Sequence, residues 1–401
     1  MALTDFKPQF DNAYEEIFQK VLVAKKIANL RFEPVLKFGE SVERVALDIS
    51  SVRVRSVTRG SASTFDSITD SSELLSIDLE KEASVIVSDG EVTQAGPLNP
   101  VERFAKELAQ LVAQDFDGRV FAQVRSAYST FDTGDLTTLA STGTPITESS
   151  TTIPQMVARM PAKLRRNNQM LDNLVFVTDS YGAAAMTEYL LGKNIDLAGS
   201  TYANGYTGTV SSAEVYVSEN LCGEGLLAMA TQPTDGDAVS VGGVTFTFKT
   251  ALTPAAGEVL IGGSADAARA NLTALINDPA TTTANGVALS AANQVIITDT
   301  LKAAATNDNS ANTMTLVCTG SGALTLAETF TAGGDSWSKN MIHAYFGKRG
   351  GIDAVLQDFK GSDMRPRADM RATSVFASYL GGIKTFADGA KKFLDVKISR
   401  A

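Results

Sequence analysis

The chain has 401 residues, 44% of them hydrophobic, which is enough for two or three domains with a large core. No apolar run reaches the ~18 residues of a membrane-spanning helix, and the N-terminus lacks the basic and apolar segments of a secretory signal. The formal net charge of −10 argues against a surface that grips nucleic-acid phosphates.

The residues that usually carry chemistry are scarce. His343 is the only histidine, which excludes a His-rich metal site, and any Ser-His-Asp triad would have to use it. We predict instead a packed or hydrogen-bonded residue near a strand start. Cys222 and Cys318 are expected to be buried, reduced thiols. The stretch "GEGLLA" half-matches a dinucleotide turn but lacks its strand–turn–helix context. We therefore predict no catalytic, cofactor-binding or metal-binding residues.

The N-terminal third begins with an apolar stripe at helical spacing, which predicts a helix over Asp11–Leu30. An extended run follows, with a bulge or bend expected at Ser50–Ser51, where the alternation changes face. "SELLSIDLEKEASVIVSD" is a second extended run, and the polar "TRGSASTFDSITDSS" separates the two. They predict a long hairpin whose tip its own subunit does not cover, and such a hairpin needs another surface to lie on.

A long helix is predicted next, from Pro100 onward, with Asn99 as its cap. Apolar residues at three- and four-residue spacing predict its buried face: Val101, Phe104, Leu108, Leu111, Phe116, Val120 and Val124. The remaining pattern predicts these elements: a helix bent at Pro161, a strand "NLVFVTD", a helix "SYGAAAMTEYLLG", a strand "AEVYVSENL", and further strands after Asn340.

Residues Leu226–Gly334 differ in composition from everything around them. They contain 11 charged residues in 109 positions, against 69 in the other 292, and neither Tyr nor Trp. Because the composition returns to the earlier pattern afterwards, we interpret 231–335 as an inserted domain.

Within this inserted segment, "AVSVGGVTFTF" predicts a hairpin with a Gly-Gly turn. Ser264 is expected to cap a helix, and "NQVIITDT" and "NTMTLVCTG" are predicted strands. The predicted buried face of the helix contains Ala267, Ala270, Leu272, Leu275 and Ile276.

The order and spacing of these parts resemble the major capsid proteins of tailed bacteriophages with the HK97-like fold, most of all the coat proteins of short-tailed phages. The segments that carry the resemblance are "LVAKKIANLRFEPVLKFGESV", "LLSIDLEKEASVIVSDGE", "FAKELAQLVAQDFDGRVFAQV", "NLVFVTDSYGAAAM", "GTVSSAEVYVSENL", "AYFGKRGGIDAVLQ" and "YLGGIKTF". The inserted segment falls where some relatives carry an extra domain, and it resembles small modules of phage virion proteins.

The resemblance implies an α+β, HK97-like fold with a small inserted α+β domain. Its expected divisions are an N-terminal arm (1–35), an extended hairpin loop with peripheral strands (36–95), a peripheral domain with a spine helix (96–150), the first part of an axial domain (151–230), the inserted domain (231–335), and the axial return with C-terminal strands (336–401).

The resemblance implies a structural function and no enzymatic one. Copies of this chain are expected to form hexamers and pentamers, which assemble in the bacterial cytoplasm into the icosahedral shell of the virion. Scaffolding and portal proteins, and a cement protein, are expected partners. Packaged DNA is expected to be enclosed without sequence-specific binding, with no cofactor and no membrane. The alternatives are an encapsulin-type compartment or another virion structural protein. The candidate intersubunit contacts lie on the hairpin: Arg53, Arg55, Arg59, Phe65 and Asp66.

Overall fold

The computed structural model of the chain describes residues 22–31, 40–48, 54–56, 59, 66, 69–88, 100–191, 206–210, 213–320, 324–331, 335–366 and 370–400. Most of the predicted N-terminal helix, the predicted bend at Ser50–Ser51 and the predicted cap Asn99 lie outside these ranges.

Nineteen strands are present in the described residues: β1 (Ala28–Asn29), β2 (Ser41–Asp48), β3 (Thr69–Ser76), β4 (Leu79–Ser88), β5 (Ser129–Phe131), β6 (Leu174–Thr178), β7 (Tyr206–Val210), β8 (Ala213–Val217), β9 (Cys222–Ala228), β10 (Ala238–Val241), β11 (Val244–Lys249), β12 (Glu258–Leu260), β13 (Ala303–Asp308), β14 (Thr313–Cys318), β15 (Leu326–Glu328), β16 (Ser336–Lys348), β17 (Ile352–Pro366), β18 (Ala372–Lys384) and β19 (Phe393–Ser399). The α-helices described are α1 (Pro100–Ala122), α2 (Thr152–Arg166), α3 (Ser180–Leu191), α4 (Ala265–Asn277), α5 (Ala291–Val295) and α6 (Ala387–Ala390).

The largest sheet has nine strands. Its main order is β13-β14-β9-β16-β6-β8-β7, and β19 joins it beside β16 with β5 on its other edge. The fully buried strand β6 runs parallel to β8 and antiparallel to β16. The predicted strand "NLVFVTD" and helix "SYGAAAMTEYLLG" are thereby confirmed as β6 and α3. The predicted helix around Pro161 is α2, which contains that proline in its interior.

A second sheet, in the order β1-β17-β18-β4, lies against the long helix α1, the spine helix. The ring of Phe116 on α1 meets that of Tyr379 on β18 edge-to-face, with 5.8 Å between centroids. Strands β17 and β18 are therefore part of the layer beneath the spine helix.

The spine helix has 23 residues and is about 35 Å long at ~1.5 Å per residue. Leu108, Phe116 and Val120 are buried as predicted, and Val124 lies buried in the 3₁₀ turn that follows. The prediction for Leu111 is wrong, because its side chain is 57% exposed. The buried face contains instead the smaller residues Ala109, Val112 and Ala113.

Two predictions near the N-terminus are also corrected. The first helix does not reach Leu30, because Ala24–Lys26 form a 3₁₀ turn and Ala28–Asn29 pair with β17. The second extended run is not one strand. It divides at Ile77–Asp78, since β3 pairs with β2 whereas β4 pairs with β18 in the other sheet.

The inserted segment has a four-stranded sheet of its own, in the order β12-β11-β10-β15, with α4 adjoining it. The predicted hairpin is confirmed: β10 and β11 pair across Gly242 and Gly243, whose φ angles of +58° and +82° suit the favoured two-residue turn. Ser264 caps α4 as predicted, with its side-chain oxygen accepting from the Ala267 N–H.

Two predictions inside the inserted segment are wrong. "NQVIITDT" is helical, comprising the end of α5 and a π-type turn over Ile296–Thr300, with only Ile297 of that turn buried. The buried face of α4 contains Ala268 and Arg269 in place of Ala267 and Ala270. The charged Arg269 is fully buried because its guanidinium bonds with the Met229 carbonyl and the Asp266 carboxylate.

Candidate assembly elements

The hairpin β2–β3 is fixed to the subunit at its root. Its strands pair from Ser41–Ser76 to Asp48–Thr69, and within the described ranges neither pairs with a third strand. A small apolar cluster anchors the root, in which Leu75 packs with Val355 and Phe386.

Polar contacts reinforce this anchor. The Arg44 guanidinium pairs with Asp388 and lies 5.1 Å from the centre of the Phe386 ring. The Glu73 carboxylate accepts from the Ala387 N–H at 3.1 and 3.2 Å. The contacts described for the hairpin therefore concentrate at the end nearest the subunit.

Of the five candidate contact residues, the structure brings two together. Arg55 and Asp66 form an ion pair across the distal part of the hairpin, with side-chain exposures of 40% and 18%. Arg59 is exposed. Arg53 and Phe65 lie outside the described residues.

The spine helix carries a junction that joins three parts of the subunit. The Asp115 carboxylate pairs with Arg119 on the same helix and with Lys302 of the inserted segment, and it accepts from the Tyr379 hydroxyl of β18. One turn along, Gly118 lies so close to the inserted segment that a Cβ there would be 2.3 Å from the Thr319 carbonyl oxygen. This junction has no local signal in the sequence, since Asp115 lies 187 residues from Lys302 and 264 from Tyr379.

The inserted segment is also joined to the nine-stranded sheet through its strands. Strand β14 pairs along β9, whose other edge pairs with β16. Where the two ends of the segment meet, one Asp335 oxygen accepts hydrogen bonds from the N–H groups of Ala230 and Thr231 at 2.9 and 3.1 Å. The segment thus closes at its two ends while sharing a continuous sheet with the rest of the subunit.

His343 lies in the middle of β16 and is 1% exposed. Its Nδ1 lies 2.8 Å from Asp395 and its Nε2 lies 3.3 Å from Glu224. Burial lowers the His343 pKa, but the two carboxylates outweigh burial and the net pKa is raised. The predicted hydrogen-bonded role is confirmed, although the residue is far from the strand start.

This cluster is unsuited to nucleophilic catalysis. Cys222 is paired opposite His343, and burial raises the pKa of its thiol to about 12, so it stays protonated. Both cysteines are buried and free. Among the residues that the structure describes, no group of three or more His, Cys, Asp or Glu side chains is arranged to hold a metal ion. No described helix has the length and apolar character needed to cross a membrane.

No family model matches the sequence, and no curated protein matches it. Several solved structures do. One described as Mycobacterium phage Che8 is similar over 93% of this chain and 90% of its own, with 13% identity and a TM-score of 0.48. The capsid structure of the Cyanophage P-SCSP1u is similar over 90% of this chain and 84% of its own, with 10% identity and a TM-score of 0.43. The mature capsid of bacteriophage PhiM1 is similar over 90% of this chain and 83% of its own, with 11% identity and a TM-score of 0.42.

Proposed function

We propose that this chain is the major capsid protein of a tailed bacteriophage, with an HK97-like fold, and that copies of it assemble into an icosahedral shell. The hairpin β2–β3 carries the proposal. Its two strands form a sheet of their own, attached through a three-residue buried cluster at the root. A two-stranded sheet is marginal alone in water, so the hairpin is suited to lie on a neighbouring subunit.

The layout of the subunit supports the same function. A long helix lies on one sheet, a second sheet of nine strands adjoins it, and the hairpin extends from the first of these layers. This arrangement agrees with the segments that resemble the capsid family in sequence, in which arm, hairpin, spine helix and axial strands follow in that order. The buried His343 cluster and the protonated thiols favour a structural role over a catalytic one.

The partners follow from this role. We propose hexamers and pentamers of this chain as the units of the shell, with scaffolding and portal proteins, and a cement protein, as the other partners in its assembly. The enclosed DNA would face a subunit with a net charge of −10, which disfavours tight phosphate binding. We place the inserted segment on the outside of the shell, because a loop insertion there leaves the lattice contacts free.

The test removes the distal hairpin without disturbing its root. Because Asp48 pairs with Thr69, replacing residues 49–68 by Asn-Gly joins the strands through a favoured two-residue turn. The Leu75 cluster and the Arg44–Asp388 pair remain in place. We expect a folded subunit that no longer forms closed shells, measured by light scattering and negative-stain microscopy with and without a scaffolding partner.

A control variant replaces the three residues Thr282–Ala284, an exposed stretch of the inserted segment, by three glycines. This control is expected to assemble normally. Closed shells of normal size from the shortened hairpin would contradict the proposal. Normal shells that enclose protein cargo, with no dependence on a scaffolding or portal protein, would favour the compartment alternative.

A further inference from the structure

Two basic residues stand next to each other at four places in this chain, and these places are widely separated in the sequence. The four pairs are Lys25–Lys26, Arg165–Arg166, Lys348–Arg349 and Lys391–Lys392. Each pair lies at or next to the end of a helix, a turn or a strand. Because the ends of distant elements meet only through tertiary structure, the sequence pattern does not predict how the pairs are arranged.

The tight turn after β16 is the point where three of the pairs meet. The Lys348 N–H donates to the Lys392 carbonyl at 2.9 Å, and the Gly350 N–H donates to the Ile27 carbonyl at 2.7 Å. Ile27 directly follows the first basic pair in the chain. Backbone hydrogen bonds therefore bring the first, third and fourth pairs together at this turn.

The second pair lies at the same end of the nine-stranded sheet. Arg166 is the last residue of α2, and the side-chain oxygen of the next residue, Asn167, accepts from the Ser129 hydroxyl at 3.0 Å. Ser129 begins β5, beside the start of β19. The chain then enters β6 at Leu174, which is paired with Lys348. We call the eight residues of the four pairs the basic end.

Most of the basic end is open to solvent. Its exposed members are Lys26, Arg165, Arg166, Arg349 and Lys391, and the other three are partly buried. The exposed ring of Tyr128 lies beside it, and the Lys391 ammonium is 5.6 Å from the centre of that ring. The surface at this ring is therefore positively charged rather than purely apolar.

Two exposed carboxylates lie within the basic end and pair with part of it. Asp172 is 2.5 Å from the Lys348 ammonium, and Glu214 pairs with Arg349. Eight basic side chains therefore stand against these two acidic ones.

Two further carboxylates, Asp353 and Asp388, lie within electrostatic reach of Lys392 but are engaged elsewhere. Asp353 is 2% exposed and accepts from the Asn29 side chain at 2.6 Å, and Asp388 pairs with Arg44. The basic end thus keeps an excess of positive charge in a chain of net charge −10. Because net charge is an average over the whole surface, this value does not prevent one end from attracting anions.

We propose that the basic end is a contact surface for the phosphate backbone of a nucleic-acid duplex, bound without regard to base sequence. Its cations come from four separate segments and are spread over a surface, which suits a row of phosphates. Five of the eight are lysines, whose flexible ammonium groups bind phosphate as point charges. The contact is a property of the unassembled chain. Only its location, on the side of the shell turned towards the enclosed DNA, rests on the proposed function.

The experiment uses unassembled full-length chain and two fluorescent DNA duplexes of unrelated sequence, with binding followed by fluorescence anisotropy. We expect weak and equal binding to both duplexes, with a Kd of about 10⁻⁴ to 10⁻⁶ M at physiological salt. If about four of the cations each neutralise one phosphate, the affinity should fall roughly a hundredfold between 50 and 200 mM salt.

Two double variants remove the same charge from different places. Lys26→Gln with Lys391→Gln neutralises two exposed members of the basic end, and the salt slope of log affinity should become shallower by about two. Lys81→Gln with Lys249→Gln, on β4 and β11, changes the net charge equally and should keep the wild-type slope. Arg165→Gln tests the second pair separately, with a slope shallower by about one.

Binding that does not depend on salt would overturn the proposal. Equal losses in the two double variants would also overturn it, because net charge alone would then govern the contact. Poly-glutamate that competes as well as unlabelled duplex at equal charge would indicate an acidic protein partner instead. Should the first double variant not fold, Arg165→Gln decides the outcome. These results are separate from shell assembly, which the shortened hairpin tests.

Discussion

The inserted segment and the hairpin β2–β3 both extend from the main body of the subunit, but only the inserted segment has an extensive core. Its apolar cluster runs from Leu227 to Leu324 and includes the fully buried Phe246 and Phe248. Among the residues described for the hairpin, Leu75 is the one that belongs to a buried apolar cluster, with Val355 and Phe386. The two regions therefore differ in how much of their apolar surface is buried within the described part of the subunit.

The attachment of the two regions differs in the same way. The inserted segment is held by strand pairing along β9 and by the hydrogen bonds that Asp335 accepts. It is also held by the ion pair between its Lys302 and Asp115 of the spine helix. The hairpin is held by its root and by the Arg44–Asp388 pair, both at the end nearest the subunit. Perturbations of the inserted segment should hence change subunit stability, and perturbations of the hairpin should change assembly.

The largest effect on stability is expected from Phe246→Ala. Removing this fully buried ring should lower the free energy of unfolding by about 3–5 kcal/mol, measured by urea denaturation of unassembled subunits. Thr245→Ala, one residue away on the exposed side of β11, is the matched control and should change it by less than about 0.5 kcal/mol. Equal effects would mean that the inserted segment lacks an independent core.

The next largest effect is expected from Leu75→Ala at the hairpin root. This residue is 1% exposed, and its loss should cost about 2–3 kcal/mol, near the low end for leucine because the cluster is small. We expect faster hydrogen exchange in β2 and β3 with little change in the inserted segment.

The neighbouring Leu74 is 52% exposed, so Leu74→Ala serves as its control. This variant should leave the exchange of unassembled subunits unchanged. A large global loss of stability in Leu74→Ala would contradict the assignment of that side chain to the free face of the hairpin.

A smaller effect is expected from Lys302→Met, which removes the ion pair between the inserted segment and Asp115. Because both side chains are partly buried, a double-mutant cycle with Asp115→Asn should give a coupling of about 1–2 kcal/mol. The control pair Lys249 and Asp235 is more exposed and 3.4 Å apart, and its coupling should be clearly smaller than that of Lys302 and Asp115. Similar couplings would remove the evidence for a junction on the spine helix.

The smallest effect is expected when the pH is lowered and Asp388, at the hairpin root, becomes protonated. Burial raises the pKa of Asp388, but its bond with Arg44 outweighs burial and the net pKa is lowered. Its stabilisation is therefore present above about 4 and lost as pH falls through the lowered pKa. For so exposed a pair the loss should be at most about 1 kcal/mol. It should be visible as a fall in the free energy of unfolding of wild type on acidification that is smaller in Arg44→Met.

Local pattern was sufficient where the physical cause is local. The Gly242-Gly243 turn follows from the need for positive φ at both positions, and the Ser264 cap follows from the unsatisfied donors of the first helical turn. The division of the inserted segment from its surroundings by composition remains a prediction, as do the other domain boundaries. The five candidate contacts follow from their place on the hairpin and, for the three arginines, from their charge, whereas the pairing of Arg55 with Asp66 has no local signal.

By itself, then, the sequence determined the spine helix, the buried strand β6, the hairpins and the shortage of groups for catalysis, because period, turn chemistry and residue type act within a few residues. Tertiary structure alone decided the helical form of Ile296–Thr300, the exposure of Leu111 and the burial of Arg269 and Asp117. The two burials depend on partners far along the chain: the Met229 carbonyl for Arg269, and the Val23 and Ala24 N–H groups for Asp117. Burying a polar group is favourable only where such partners meet it, and folding alone brings them together.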